Sequence, residues 1–179
     1  MDSTAVLGLP LIDSSQASPE ITHNEAISLI QSQLYGVKQV GLNAAPGSPA
    51  EGDSYVVGAA GSGAFAGHDN QVALYLNAQW NFLPDVDSSG TIIAMGNPQE
   101  GMRVWDKTTH GLWYWSGAAW RLLYVQACPV ANLPAAGAAL QGARGFVTDS
   151  SVNTFGSAVA GSGSDKVPVY CDGAGWLVG

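Results

Sequence analysis

Three times along this chain an apolar or aromatic strand runs into a short polar or glycine turn and emerges on a tryptophan. The copies are Leu74-Tyr75-Leu76-Asn77-Ala78-Gln79-Trp80, Trp113-Tyr114-Trp115-Ser116-Gly117-Ala118-Ala119-Trp120 and Val169-Tyr170-Cys171-Asp172-Gly173-Ala174-Gly175-Trp176. A unit used repeatedly is a folding unit, so it limits the architecture more than any single polar residue does. It predicts small β-hairpin modules, a design suited to reach and contact.

A second element lies upstream of each tryptophan. Pro49-Ala50-Glu51-Gly52-Asp53-Ser54-Tyr55-Val56 and Pro98-Gln99-Glu100-Gly101-Met102-Arg103-Val104-Trp105 share a proline, then a glutamate and glycine, then alternating apolar residues. Leu140-Gln141-Gly142-Ala143-Arg144-Gly145-Phe146-Val147 is a looser copy. From glycine to tryptophan the separations are 28, 19 and 34 residues, as expected of fixed strands around a tolerant loop.

Of the 179 residues, 46% are hydrophobic and only 11% charged, too apolar for a disordered chain. With 23 glycines, large side chains are concentrated in the aromatic hairpins, and a module of that size has a marginal core alone. Oligomerisation is the expected remedy. Fourteen acids against six scattered bases (Lys38, Arg103, Lys107, Arg121, Arg144, Lys166) argue against nucleic-acid binding, which wants a basic stripe. No stretch approaches the roughly 20 apolar residues of a membrane span. Met1-Asp2-Ser3-Thr4 lacks the positive charge of a secretion signal, so assembly in a cytoplasm is expected. Cys128 and Cys171 are then read as thiols, with a disulfide as the alternative.

The fold expected is mainly β: small tandem hairpin or sandwich modules behind an N-terminal extended arm and one α-helix. Ala5 to Ile12 is the arm, since Gly8 and Pro10 oppose a helix. Thr22-His23-Asn24-Glu25 matches a capping box, Ala26, Ile27, Ile30 and Leu34 recur at helical spacing, and Gly36 offers a stop. The segments expected are the arm and helix over 1–36, a first β module over 37–96, a second hairpin module over 97–128 and a C-terminal β module over 129–179. Within them, residues 58–67 read as a glycine-rich excursion and 129–139 as a linker. Asp85 to Gly90 and Asp106 to Gly111 read as turns. Pro168 places its strand at an edge or start of a sheet.

Four motifs carry a family resemblance. Leu7-Gly8-Leu9-Pro10-Leu11-Ile12-Asp13, Thr22-His23-Asn24-Glu25-Ala26, Pro49 to Tyr55 and Ala64-Phe65-Ala66-Gly67-His68-Asp69 together resemble a domain of unknown function in tail and fibre proteins of tailed bacteriophages and related gene transfer agents of alphaproteobacteria. The resemblance covers roughly residues 5 to 83 and departs at Ala17-Ser18-Pro19-Glu20, where the family carries a basic, histidine-containing step. Val104 to Trp120 is similar to a segment recurring in phage fibres, and Gly145 to Trp176 resembles the closing module of phage and prophage tail proteins. The resemblance implies a virion structural protein, a homotrimeric tail fibre or baseplate-associated spike located in the tail, with other virion proteins as partners and no reaction.

For contact, Trp113, Trp115, Trp176 and Tyr170 are candidates to meet a host glycan or receptor, because such rings stack on sugars. The competing reading makes the same rings core or subunit interface. Leu9, Ile12, Ile27, Ile30 and Leu34 are the candidates for docking to the particle and for oligomerisation. His68-Asp69 lacks a nucleophile motif, and its two side chains point apart on an extended segment. A turn-stabilising aspartate beside a surface histidine is expected there. Asp85, Asp87 and Ser89 alternate like calcium-loop ligands, but no glutamate closes the loop where such a site needs one. Glu51 and Glu100 occupy equivalent repeat positions and read as acceptors at turns rather than as paired catalytic acids. No cofactor, metal or catalysis is expected. The alternatives from other classes are a carbohydrate-binding accessory module of a cell-wall or capsule hydrolase, and a head fibre or decoration protein without ligand.

Overall fold

The computed structural model describes residues 34–76, 78–82, 85–86, 92–93 and 100–179, together with positions 27, 30 and 98. The fold is mainly β. The chain forms two compact units, residues 1–104 and 105–179, where four segments were expected.

In the first unit a four-stranded sheet runs in the order β1 (Val40–Ala44), β2 (Ser54–Ser62), β3 (Val72–Leu76), β4 (Gln79–Phe82). β1 is parallel to β2, and the other neighbours are antiparallel. Tyr55, Ala73 and Phe82 stand opposite one another across three strands and therefore share a face. On it Tyr55, Val57, Phe65 and Ala73 form a core against Leu42, Ala45, Trp80 and Phe82. Phe65 meets Trp80 edge-on at 5.0 Å and Phe82 at 6.1 Å. A two-stranded ladder pairs β5 (Asp85–Val86) with β6 (Ile92–Ile93).

Residues 58–67 are not the loop expected from their glycines. Gly58 to Ser62 prolong β2, and Gly63–Phe65 make one 3-10 turn that drops Phe65 into the core. Gly58 is what allows this, because a Cβ there would lie 2.9 Å from the carbonyl oxygen of Gly41 on the neighbouring strand.

The second sheet has six strands, in the order β12 (Trp176–Val178), β11 (Asp165–Cys171), β10 (Arg144–Ser150), β9 (Trp120–Val125), β8 (Gly111–Trp115), β7 (Arg103–Asp106). The second and third repeats thus share one sheet. β9 and β10 join them in parallel, Tyr124 opposite Arg144, and Cys128 continues the pairing beside Val147. The expected linker is structured, with 3-10 turns at Val130–Asn132 and Ala138–Leu140, and the Trp176 indole N–H donates to the carbonyl of Pro134 at 2.8 Å.

Pro168 lies in β11, between two neighbours rather than at the expected edge. In an antiparallel ladder a residue's N–H and C=O point to the same side. The Pro168 carbonyl accepts from Gly179 N, so its missing donor faces the place where β12 ends and costs the β10 ladder nothing.

All three tryptophan repeats are antiparallel hairpins. Trp80 faces Tyr75, Trp120 faces Trp115, and Trp176 faces Cys171. The upstream glycines recur as one conformation: Gly52, Gly101 and Gly142 have φ of 85°, 85° and 86°. Asp53 N donates to the carbonyl of Ala50, and Ala143 N to that of Leu140, closing type II turns that need a positive φ at their third residue. The turn then clamps the hairpin. Gly52 N donates to Tyr75 O and Tyr75 N to Asp53 O; Gly142 N donates to Cys171 O and Cys171 N to Ala143 O.

Side chains finish the turns. Ser116 Oγ accepts from Ala119 N, Asp172 Oδ1 accepts from Ala174 N and Gly175 N, and Gly117 and Gly173 follow them at φ 86° and 96°. Glu51 Oε1 accepts from Ala78 N at the tip of the first hairpin, the turn role expected of it. Since the space around a Cβ at Gly142 is open, Gly142→Ala carries only the conformational cost of a left-handed residue. Urea unfolding is expected to show a loss of about 1–2 kcal/mol.

Candidate functional site

The burial pattern of β8 alternates: Gly111, Trp113 and Trp115 point inward, Leu112 and Tyr114 outward. Trp113 and Trp115 keep 7% and 4% of their surface, and Trp176 keeps 8%. Trp115 packs edge-on against Trp120 at 5.8 Å. The Trp113 indole donates to Thr109 Oγ1 and that of Trp176 to Pro134, so the buried N–H groups have acceptors. These three rings are core of their own chain, and their faces are closed to a ligand. The exposed-platform expectation is corrected to that extent.

Tyr170 differs. It lies on the opposite face of β11 from buried Val169 and Cys171, half-buried, with its ring 6.4 Å from that of exposed Phe155. It stands in a row that crosses five strands, Leu112 opposite Tyr124, Tyr124 opposite Arg144, Arg144 opposite Tyr170, and Tyr170 opposite Leu177. Tyr124 is 44% exposed, and Phe146, two residues along β10 from Arg144, is 38% exposed. Sequence reading missed Tyr124 and Arg144 as members of a site. Only the outward parity of Arg144 and Phe146 around buried Val147 signals the face from sequence, and nothing local signals the pairing between repeats.

Of the candidates for docking and oligomerisation, Leu9 and Ile12 lie outside the described residues, as do Thr22 to Ala26. Ile27, Ile30, Leu34 and Tyr35 have helical backbone, and Gly36 follows at φ 78°. All four side chains are exposed, Leu34 at 83%. Among the described residues Ile27, Ile30 and Leu34 form an exposed apolar stripe.

Other polar groups serve local structure. Asp69 Oδ1 accepts from Gly61 N at 2.8 Å, the turn role expected of it, and His68 stacks on Phe82 while its Nδ1 meets Gln71 Oε1 at 2.9 Å. Asp106 is fully buried and accepts from Thr108 N and Thr109 N. Asp53 accepts from Ala50 N and pairs with Lys38 Nζ at 2.6 Å; that hydrogen bond holds the Lys38 ammonium above its ordinary pKa. Cys128 and Cys171 are free thiols. Burial first, and the Asp149 carboxylate second, push the Cys128 thiol up, which keeps it protonated and a poor nucleophile. A depression of about 360 Å³ beside Trp176 is lined by Val130, Leu133, Pro134, Ala158 and their neighbours, with no titratable side chain. Asp87 and Ser89 of the calcium-like spacing lie outside the described residues, Asp85 opens β5, and among the described residues no metal-binding cluster occurs.

The sequence profile of a family described as "protein of unknown function (DUF2793)" matches residues 23–121, more than half of the chain. The chain belongs to the DUF2793 family. Compared with curated proteins, it matches none. The DUF2793 region takes in the helical positions, the four-stranded sheet and the second repeat as far as Arg121, at the start of β9. Two of the motifs behind the phage resemblance, Pro49 to Tyr55 and Ala64 to Asp69, fall inside it.

The two faces predict opposite mutational effects. Trp115→Ala should cost about 3–5 kcal/mol in chemical unfolding, whereas Tyr124→Ala on the outward face should stay within about 0.5 kcal/mol. Backbone hydrogen bonds from Gly175 and Ala174 hold the Asp172 carboxyl below the usual carboxylate range. A depressed carboxyl contributes stability above its unfolded pKa and loses it as pH falls through the folded one. The melting-temperature difference between the wild type and Asp172→Ala should therefore be full at neutral pH and close below about pH 4.

Proposed function

We propose that this DUF2793 protein is a structural component of a bacteriophage virion, a tail fibre or baseplate-associated spike that works by contact and not by catalysis. The observation that carries this reading is the pairing, in one chain, of repeated β hairpins with an apolar helical stripe that is exposed among the described residues. The second and third hairpins bury Trp113, Trp115, Trp120 and Trp176 and the first half-buries Trp80, while Ile27, Ile30 and Leu34 are exposed and offered to a partner. Three copies of the stripe around a common axis would bury it, and further virion proteins would hold the N-terminal region. The β units then project toward the host surface, where weak contacts multiplied over copies give avidity. Assembly takes place in the host cytoplasm, and the finished protein resides in the tail. The motif-level likeness to phage fibres supports this setting.

Light scattering on the full chain tests it. The expected mass is three times the 18.4-kDa chain, falling to one chain in the triple variant Ile27→Asp, Ile30→Asp, Leu34→Asp with its β-sheet circular dichroism unchanged. Gold-labelled antibody should decorate the tails of intact particles. A wild-type mass of one chain would overturn the trimer and favour a monomeric carbohydrate-binding accessory module, and label on heads would favour a head fibre or decoration protein.

A further inference from the structure

The net charge of −8 is confined to one part of the chain. Residues 1–104 hold ten acids and two bases, whereas residues 105–179 hold four of each. Within the second unit the charges are also sorted by face. Arg121, Arg144 and Lys166 stand on the outward face of β9, β10 and β11, each flanked by residues that point inward. Of the aspartates of these strands, Asp165 lies two residues from buried Val167 and so on the other face, and Asp149 sits at the register irregularity between Val147 and Ser150. Asp149 is further engaged through Val130 N. The outward face is therefore cationic and ringed by aromatics on a chain that is otherwise acidic.

Its central feature is the row Tyr124, Arg144, Tyr170 on adjacent strands. Strand spacing puts neighbours in the row about 4.8 Å apart and the two tyrosines about 10 Å apart. The first spacing matches the advance of one sugar ring along an extended polysaccharide, so alternate rings would meet a tyrosine and the ring between them the guanidinium. Central strands hold all three side-chain positions rigidly.

We propose that this face binds a linear anionic polysaccharide bearing a carboxylate on every second sugar, with Tyr124 and Tyr170 stacking on rings and Arg144 pairing with the carboxylate between them. The proposal deepens the adhesive reading above and rests on it for the ligand's setting. Arginine offers a planar two-pronged donor to a carboxylate, and aromatic side chains give contact area at low entropic cost. A second copy packed face to face would set arginine against arginine. A nucleic acid carries a charge on every residue and would be repelled by the acidic remainder of the chain. A sparsely charged polysaccharide meets neither objection.

Titration calorimetry of the full chain with hyaluronan and unsulfated chondroitin decasaccharides tests this, with a neutral chito-oligosaccharide, polyglutamate and oligothymidylate as comparisons. The expected result is binding to at least one of the two uronate polymers, tighter than to every comparison polymer. Arg144→Glu and Tyr124→Ala should each weaken it by roughly tenfold or more, at unchanged melting temperature. Binding to neither uronate polymer, binding insensitive to either substitution, or tighter binding to any comparison polymer would overturn the proposal. Particle labelling separates the two readings: uronate binding by a chain that is missing from particles sinks the fibre and keeps the site, and tail labelling without uronate binding does the reverse.

Discussion

Two backbone hydrogen bonds, exchanged between a left-handed glycine turn and the first strand of the following hairpin, set the geometry of the β units. In the first unit they join Gly52 and Asp53 to Tyr75, and in the second Gly142 and Ala143 to Cys171. The residue held this way is the one that faces the tryptophan across the hairpin. The turn therefore fixes the strand position opposite which the indole sits. Loop length between the two elements is free to vary, because loop closure changes slowly with length while the clamp stays local.

The consequence for function follows from parity. Once Trp113, Trp115, Trp120 and Trp176 are committed to one face, every residue between them along its strand is committed to the other. Arg144, Phe146 and Tyr170 acquire their common outlook from that alternation, and Tyr124 joins them because the β8–β9 register shifts by one residue at Leu123, which turns Tyr124 outward although it lies four residues after buried Trp120. The parallel junction of β9 and β10 makes that outlook continuous, since it brings strands of two repeats into register at Tyr124 and Arg144. The edge beyond β12 is also covered, with Ser157 O and Val159 N bonded to Val178 and Trp176. The extended surface is thus the face of the sheet rather than its rim.

Much of the architecture was legible in the residues. The hairpins over Leu74 to Trp80, Trp113 to Trp120 and Val169 to Trp176, the turn from Asp106 to Gly111 and the stop at Gly36 are local, and local steric preference is written in local sequence. Reading failed where a distant strand decided the outcome. Gly58 to Ser62 looked like a loop until β1 approached the glycine, and Pro168 looked like an edge residue until β12 ended opposite it. Residues 129–139 looked like a linker because the acceptor role of Pro134 toward Trp176 has no counterpart in composition.

The sequence by itself determined the repeated unit, its turn chemistry, its β character and an apolar helical stripe at Ile27, Ile30 and Leu34, because each follows from backbone sterics or periodicity over a few neighbouring residues. Only the tertiary structure decided which aromatics are core and which face outward, and that Tyr124, Arg144 and Tyr170 form one row. That choice rests on pairing between strands far apart in the chain, and a one-residue shift of any of them would turn its side chains to the opposite face.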